Sequence, residues 1–391
     1  MITVDEALQR VLGLAGPVRT EEIALADGLD RVLAGPVRAR LTQPPFNSAA
    51  MDGYAIRRAD QDQPLQVIGE AAAGRPWTGT PQPGTAIRIF TGAAVPDGYD
   101  CVVMQEHVAR EADVIRVTTA QDHDNIRPQG NDFHEGSEFD PRRRLSPRDL
   151  ALIAAMNVDR LTVARHPRVA ILPGGDELVP PGTTPGPGQI VSSNDIAIAA
   201  IARRVGADVD LLPIAADTET SLRDSFARAA GADLIVTIGG ASVGDHDLIG
   251  KVTEGMGMER AFYKIAMRPG KPLIAGRIAG AAMIGLPGNP VSSIVCAELF
   301  IRPLLRHMLG LPAEDRLCEG KLGRDIGTEG DRQHYLRATL SAAEGYSVVT
   351  PLEDQDSARL GLLAQADALL VRPAGDPPRR AGSTVQFLRF D

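Results

Sequence analysis

The chain has 391 residues, of which 43% are hydrophobic and 23% charged, and its net charge is −9. That is globular composition over a length too great for one core, so about two to four domains are expected; no apolar run approaches the ~18 residues a membrane span needs. The acidic balance and an aromatic content of 4% argue against a nucleic-acid surface, while leaving room for a local basic pocket that takes a small anion.

The first residues lack a basic segment ahead of their apolar positions and carry Thr3 and Glu6 in capping-box spacing, so Val4 to Leu14 reads as a helix and not as an export signal. A second helix is predicted from Ser146 to Met156, with Ser146 as N-cap and Pro147 at the first helical position. Between them, short β-like runs (Thr85 to Phe90, Cys101 to Gln105, Val114 to Thr118) alternate with Gly, Pro and Asp turns, which places a small β domain at 43–137 inside a helical/β domain made of 1–42 and 138–165. Over 166–311 apolar strands alternate with helices. Strands are expected at Val169 to Leu172, Val209 to Pro213, Leu234 to Ile238 and Ala281 to Leu286, with helices at Asp195 to Val205, Thr218 to Ala230 and Val291 to Leu309. Continuous apolar strands between helices imply a parallel, doubly wound α/β sheet covered on both faces. Residues 312–391 return to β character, with Tyr335 to Leu340, Tyr346 to Pro351, Ala368 to Arg372 and Val385 to Arg389 as strands of a small barrel. Cys101, Cys296 and Cys318 are widely separated and in no metal-ligand spacing, which speaks against a disulfide framework or a zinc site and fits a reducing cytoplasm.

Ligands of an open α/β sheet bind where loops leave the carboxyl ends of the strands. Three Gly-rich loops do so here: PGGDEL (Pro173 to Leu178), GGASVGDHD (Gly239 to Asp247) and GLPGNPVS (Gly285 to Ser292). Their glycines allow close backbone approach and their following helix starts offer free amides, which suits phosphate; the same glycines would also serve to close tight turns. Lys264, Arg268 and Lys271 could supply positive charge. Asp176, Glu177, Asp245 and Asp247 are oxygen donors of the kind that hold Mg²⁺. Asp217 reads either as part of this set or as the N-cap of the helix after it, and His246, between two acids, reads either as an acid/base or as a solvated loop residue. In the β domain PPFNSAAMDGYAI (Pro44 to Ile56), FTGAAVPDG (Phe90 to Gly98) and NIRPQGNDF (Asn125 to Phe133) carry turn glycines, including the pair Asp52-Gly53, but turn chemistry does not account for Thr91, Arg127 and Asp132. No nucleophile elbow, Walker A loop, Ser-His-Asp order or dinucleotide fingerprint is present.

These strings, with SSND (Ser192 to Asp195) and KIAMRPGKP (Lys264 to Pro272), resemble in order and spacing the molybdopterin molybdenumtransferases, known as MoeA in bacteria and as the E domain of gephyrin in animals, over essentially the whole chain. The resemblance implies a cytoplasmic homodimer of elongated four-domain subunits. It implies an enzyme that takes adenylylated molybdopterin and molybdate, with Mg²⁺, and yields molybdenum cofactor and AMP, and that could receive its substrate from the molybdopterin adenylyltransferase. By motif, Asp52, Asp132, Asp217, Asp247 and Lys264 would be catalytic. Thr91, Gly239, Gly240, Ser242, Arg268, Lys271, Pro287, Gly288 and Pro290 would bind substrate, with Arg337 and Ser357 from the barrel, and Glu177 and Asp247 would hold the metal. The sequence departs from the family's pattern at Gly174, Ile238 and Arg268: the first two lack a hydroxyl, and the third replaces a point donor by a planar fork. A molybdopterin adenylyltransferase, which needs only the α/β unit, and a gephyrin-like scaffold are the competing readings.

Overall fold

The computed structural model describes residues 1–239, 248–343 and 345–390. The chain divides into two compact units, one comprising Met1–Glu21 with Ala164–Asp391 and the other Glu22–Val163.

In the second unit the helix Pro147–Ala155 starts at the predicted capping box, where the side chain of Asp149 accepts from the Ser146 amide at 2.6 Å and from Arg143 at 2.5 and 2.8 Å. It buries Ile153 against Leu145, Met156, Leu161 and Val163. The β segment forms a six-stranded sheet in the order Cys101–Met104, Gly53–Ile56, Thr85–Ile89, Leu65–Ala71, Val114–Val117, Val108–Glu111. Gly53 is not simply a turn residue: a Cβ there would lie 1.9 Å from the Val103 carbonyl oxygen, so glycine lets the first two strands close on each other.

In the first unit the helix Val4–Leu12 is capped by Thr3, whose hydroxyl accepts from the Glu6 amide at 3.1 Å. The α/β region runs β1 (Arg168–Pro173), α1 (Asn194–Val205), β2 (Asp208–Leu211), α2 (Glu219–Arg228), β3 (Leu234–Ile238), α3 (Leu248–Gly255), β4 (Glu259–Lys264), β5 (Pro272–Ile278), β6 (Ala281–Leu286) and α4 (Pro290–Cys296). Sheet order is β2-β1-β3-β6-β5-β4. The first four strands are parallel, and β3 is buried at all five positions, as a strand covered on both faces must be.

Two expectations are corrected. The sheet is mixed, because β5 runs antiparallel to β6 and β4 antiparallel to β5. Only Ala279 and Gly280 join β5 to β6, both at positive φ (48° and 84°), and such a two-residue turn can only reverse the chain, whereas a parallel crossover needs a dozen residues or more. The long helix expected from Val291 to Leu309 is interrupted by a π-helical turn at Ala297–Ile301 before helix resumes at Arg302–Met308. Pro303 has no amide to donate and its ring collides with a carbonyl one turn back, which loosens the register there.

The C-terminal strands β7 (Leu317–Leu322), β8 (Gln333–Ala343), β9 (Tyr346–Pro351), β10 (Ala368–Arg372) and β11 (Thr384–Arg389) close into a five-strand barrel, in the circular order β8-β9-β7-β11-β10. Leu322, Leu336, Val349, Leu370 and Phe387 fill it. No described helix is long and apolar enough to cross a membrane.

Candidate anion-binding site

The three Gly-rich loops leave one edge of the sheet because β1, β3 and β6 are parallel neighbours whose ends are in register, Pro173 beside Ile238 and Ile238 beside Leu286. The loops touch immediately beyond the strands. Gly174 donates its amide to the Ile238 carbonyl at 3.1 Å, and Gly239 donates to the Leu286 carbonyl at 3.2 Å. Gly239 has φ +86°, and a Cβ on it would lie 2.7 Å from the Gly174 oxygen, so this position requires glycine both by conformation and by space. The third loop is held from beneath: Ser293 donates its hydroxyl to the Pro287 carbonyl, and Asn194 of the SSND string donates to the Gly288 carbonyl at 2.7 Å. Pro290 opens α4 at its first turn. Gly240, Ser242, Asp245, His246 and Asp247 lie outside the described residues.

Carboxylates gather beside the first loop. Asp176 accepts the Asp217 amide at 3.0 Å. Packing around the Asp217 carboxyl raises its pKa; a hydrogen bond from the Asp176 amide opposes the rise, and the charges of Asp176 and Glu177 add to it. Asp217 is not the helix cap. Thr218 holds that place, accepting from the Ser221 amide at 3.2 Å, which frees the Asp217 carboxyl for the loop edge. Among the described residues no group of three or more His, Cys, Asp or Glu side chains is arranged to hold a metal ion.

A cavity of about 410 Å³ is lined by Arg268, Lys271, Arg332, Arg337, Ser292 and Ser357, among others. Arg337 comes from β8 inside the barrel wall and is 1% exposed. Gln355 accepts from its Nε at 3.3 Å, and the carbonyls of Arg359 and Asp354 accept from its two terminal nitrogens, each at 3.2 Å, so the guanidinium cannot swing away. Ser357 ties this cavity to the third Gly-rich loop: its carbonyl accepts from the Val291 amide and its hydroxyl from Asn289, both at 3.1 Å. Four cationic side chains around so small a space suit a compact, multiply charged oxyanion, since a guanidinium fork meets two oxygens at once. Sequence reasoning missed Arg332, His334 and Ser292 here. Arg332 immediately precedes β8 and His334 is its second residue, in an ordinary polar run, and only the closed barrel brings them to the cavity. Lys264, by contrast, ends β4 with its ammonium 5.3 Å from the Tyr263 ring centroid and is not among the cavity's lining residues.

In the second unit the three strings of the β domain interlock. Ala49 donates to the Ala93 carbonyl and accepts from the Gly92 amide, both at 2.9 Å, while Ala49 also pairs with Ile126. Asp52 is brought to Thr91: its Oδ1 accepts from the Thr91 amide at 2.7 Å and from the Thr91 hydroxyl at 2.8 Å. Those bonds, with Arg88 nearby, hold the Asp52 carboxyl below the usual range. Arg88 is sandwiched between Tyr54 and Phe90, 5.2 and 4.7 Å from their ring centroids. Asp132 is exposed, its amide bonded to the Gln43 carbonyl at 3.0 Å.

A sheet edge that launches three Gly-rich strings, followed by a closed barrel that walls a basic cavity, defines a multidomain α/β protein whose cavity suits a small anion. Residues 2–157 match the MoeA N-terminal region (domain I and II), 170–307 a probable molybdopterin binding domain, and 319–390 the MoeA C-terminal region (domain IV). The chain belongs to the MoeA family, the molybdopterin molybdenumtransferases of molybdenum cofactor biosynthesis. It is similar to the molybdopterin molybdenumtransferase of Nostoc sp., 35% identical over 95% of this chain and 89% of the relative. It is also 35% identical to molybdopterin molybdenumtransferase 2 of Mycobacterium tuberculosis, over 99% of both chains. A solved molybdopterin biosynthesis MoeA protein from Pyrococcus horikosii covers 100% of this chain and 99% of its own, with a TM-score of 0.88 at 28% identity.

Proposed function

We propose that this chain inserts molybdate into molybdopterin, taking the pterin in its adenylylated form and releasing AMP with the help of a divalent cation. The observation that carries the reading is the basic cavity of Arg268, Lys271, Arg332 and Arg337, tied through Ser357 to the loop edge. In this reading Arg268, Lys271, Arg337 and Ser357 receive molybdate. The backbone of the loops at Gly239, Gly240, Ser242, Pro287, Gly288 and Pro290 receives the pterin and its phosphates, and Thr91 contributes a substrate contact. Asp52, Asp132, Asp217, Asp247 and Lys264 serve the chemistry. The missing hydroxyls at Gly174 and Ile238 leave backbone amides as the donors there.

Glu177 and Asp247 would hold Mg²⁺. An all-oxygen donor set suits a hard cation, and Asp176 lies against Asp217 at the same loop edge, its side chain accepting the Asp217 amide at 3.0 Å. The cation supplies neutralisation of the phosphate charge during cleavage. The working form is a homodimer in the cytoplasm, fed by the adenylyltransferase. Presence of both flanking regions, at 2–157 and 319–390, favours insertion over adenylylation, for which the α/β unit alone suffices.

Measuring AMP release from adenylylated molybdopterin tests the reading. Release is expected only with both molybdate and a divalent cation. Undiminished release in chelator contradicts the role given to Glu177 and Asp247, and consumption of ATP on free molybdopterin would support adenylylation instead.

A further inference from the structure

His334 lies on β8 in the wall of the basic cavity and is 5% exposed. Its Nδ1 is 3.0 Å from Glu329 Oε2, but the direction leaves the nitrogen without a well-formed hydrogen bond. A ring nitrogen buried this close to a carboxylate gains an opposite charge to face when the imidazole takes up a second proton.

Charged groups face this imidazole from each neighbouring element. Glu329 and Arg332 come from the loop before β8. Arg268 pairs with His334 on the adjoining strand Met267–Arg268, and Arg372 pairs with it on β10, itself neutralised by Asp376. Lys271, Arg337 and Asp356 share the cavity. Burial lowers the His334 pKa, Glu329 opposes this, and Arg268 and Arg332 lower it further, so the guanidiniums around the ring disfavour the imidazolium. A dianion among the same guanidiniums reverses the field at the ring and favours the imidazolium.

We propose that His334 is a proton-linked positioning residue of the oxyanion cavity, taking one proton from solvent as a tetrahedral dianion enters, with Glu329 holding the resulting imidazolium. This rests on the reading of the cavity as the molybdate site. The balance is simple: neutral histidine, one proton and a dianion give an imidazolium–dianion pair, with no covalent change. Oxyanion affinity therefore rises as pH falls through the histidine range.

The test is calorimetric titration of the full-length protein with molybdate from about pH 6 to pH 8, the range in which a histidine changes charge. In buffers of different ionisation enthalpy the wild type should take up up to about one proton per anion, and affinity should fall roughly three- to ten-fold per pH unit over the steep part of the profile. His334→Gln should abolish the proton uptake and flatten the profile, whereas Glu329→Gln should move the profile to lower pH; a purely structural role would shift the melting temperature and leave the slope intact. If molybdate binds and Arg337→Ala removes it, yet the wild type takes up no proton, the proposal is overturned while the cavity reading stands. If molybdate does not bind, or binds Arg337→Ala equally well, the cavity reading fails and the proposal with it. The proton count on wild type needs no variant, so misfolding of His334→Gln cannot shield the idea.

Discussion

At the scale of single residues, the clearest stability claim concerns Asp149. Its side chain is 6% exposed, and Arg143, before burial opposes and Ser146 adds to the effect, holds its carboxyl well below the usual carboxylate range. A carboxyl whose folded pKa is depressed contributes stability above its unfolded value near 4, and loses it as pH falls through the folded value. Asp149→Asn is expected to cost about 2 kcal/mol at neutral pH in urea unfolding, with the gap closing in strong acid; a gap that does not narrow in acid would assign the loss to packing. Lys271 is the opposite case. It is exposed, so Lys271→Ala should weaken molybdate binding about tenfold, the worth of one charge-assisted hydrogen bond, while the melting temperature stays within about 1 °C. A large melting shift with unaltered binding would remove Lys271 from the site. Thr91 can be picked out of its string because turn chemistry does not need it, whereas Asp52 reads equally as half of a turn pair and is singled out only by the resemblance; their mutual hydrogen bonds depend on two loops meeting. His334 carried no signal at all: its burial follows from a barrel that closes around it.

Elements were legible where the periodicity was unambiguous. β3 and β6 follow the apolar runs Leu234 to Ile238 and Ala281 to Leu286 to the residue, and Ser146-Pro147 marks its helix start. β4 and β5 do not read as strands at all, since Arg260, Lys264, Gly276 and Arg277 break up their apolar runs, and the direction of β5 is set only by the Ala279-Gly280 turn. The π turn was equally hidden, since Pro303 near a helix middle predicts disturbance without its form. The barrel carries its own test. Arg372 is 2% exposed and bonds to Asp376, which also accepts from Arg379 at 2.7 Å. Asp376→Asn strands a buried guanidinium and should cost about 3–5 kcal/mol, whereas replacing Arg372 and Asp376 together by apolar residues should cost far less. Equal losses in thermal unfolding would show that the ion pair is not the stabilising feature.

For the whole molecule, a chain of net charge −9 still gathers Arg268, Lys271, Arg332 and Arg337 around a single cavity, so the bulk charge is a poor guide to the local field there. The family was legible from the ordered strings, two of which hold glycines the backbone requires: Gly239, at φ +86° beside Gly174, and Gly53, packed on the Val103 carbonyl. The cavity was only partly legible: KIAMRPGKP supplies Arg268 and Lys271, and the resemblance points to Arg337 and Ser357, but Arg332 and His334 come from a stretch whose residues announce packing and not chemistry. The central claim is that this cavity delivers molybdate to the pterin. Reconstitution of a molybdenum-requiring apoenzyme, with adenylylated molybdopterin and limiting molybdate, measures that delivery. Wild type should restore activity, and Arg337→Ala should fall at least about tenfold and recover as molybdate is raised, because the loss is in binding. Full reconstitution by Arg337→Ala at limiting molybdate would contradict the account.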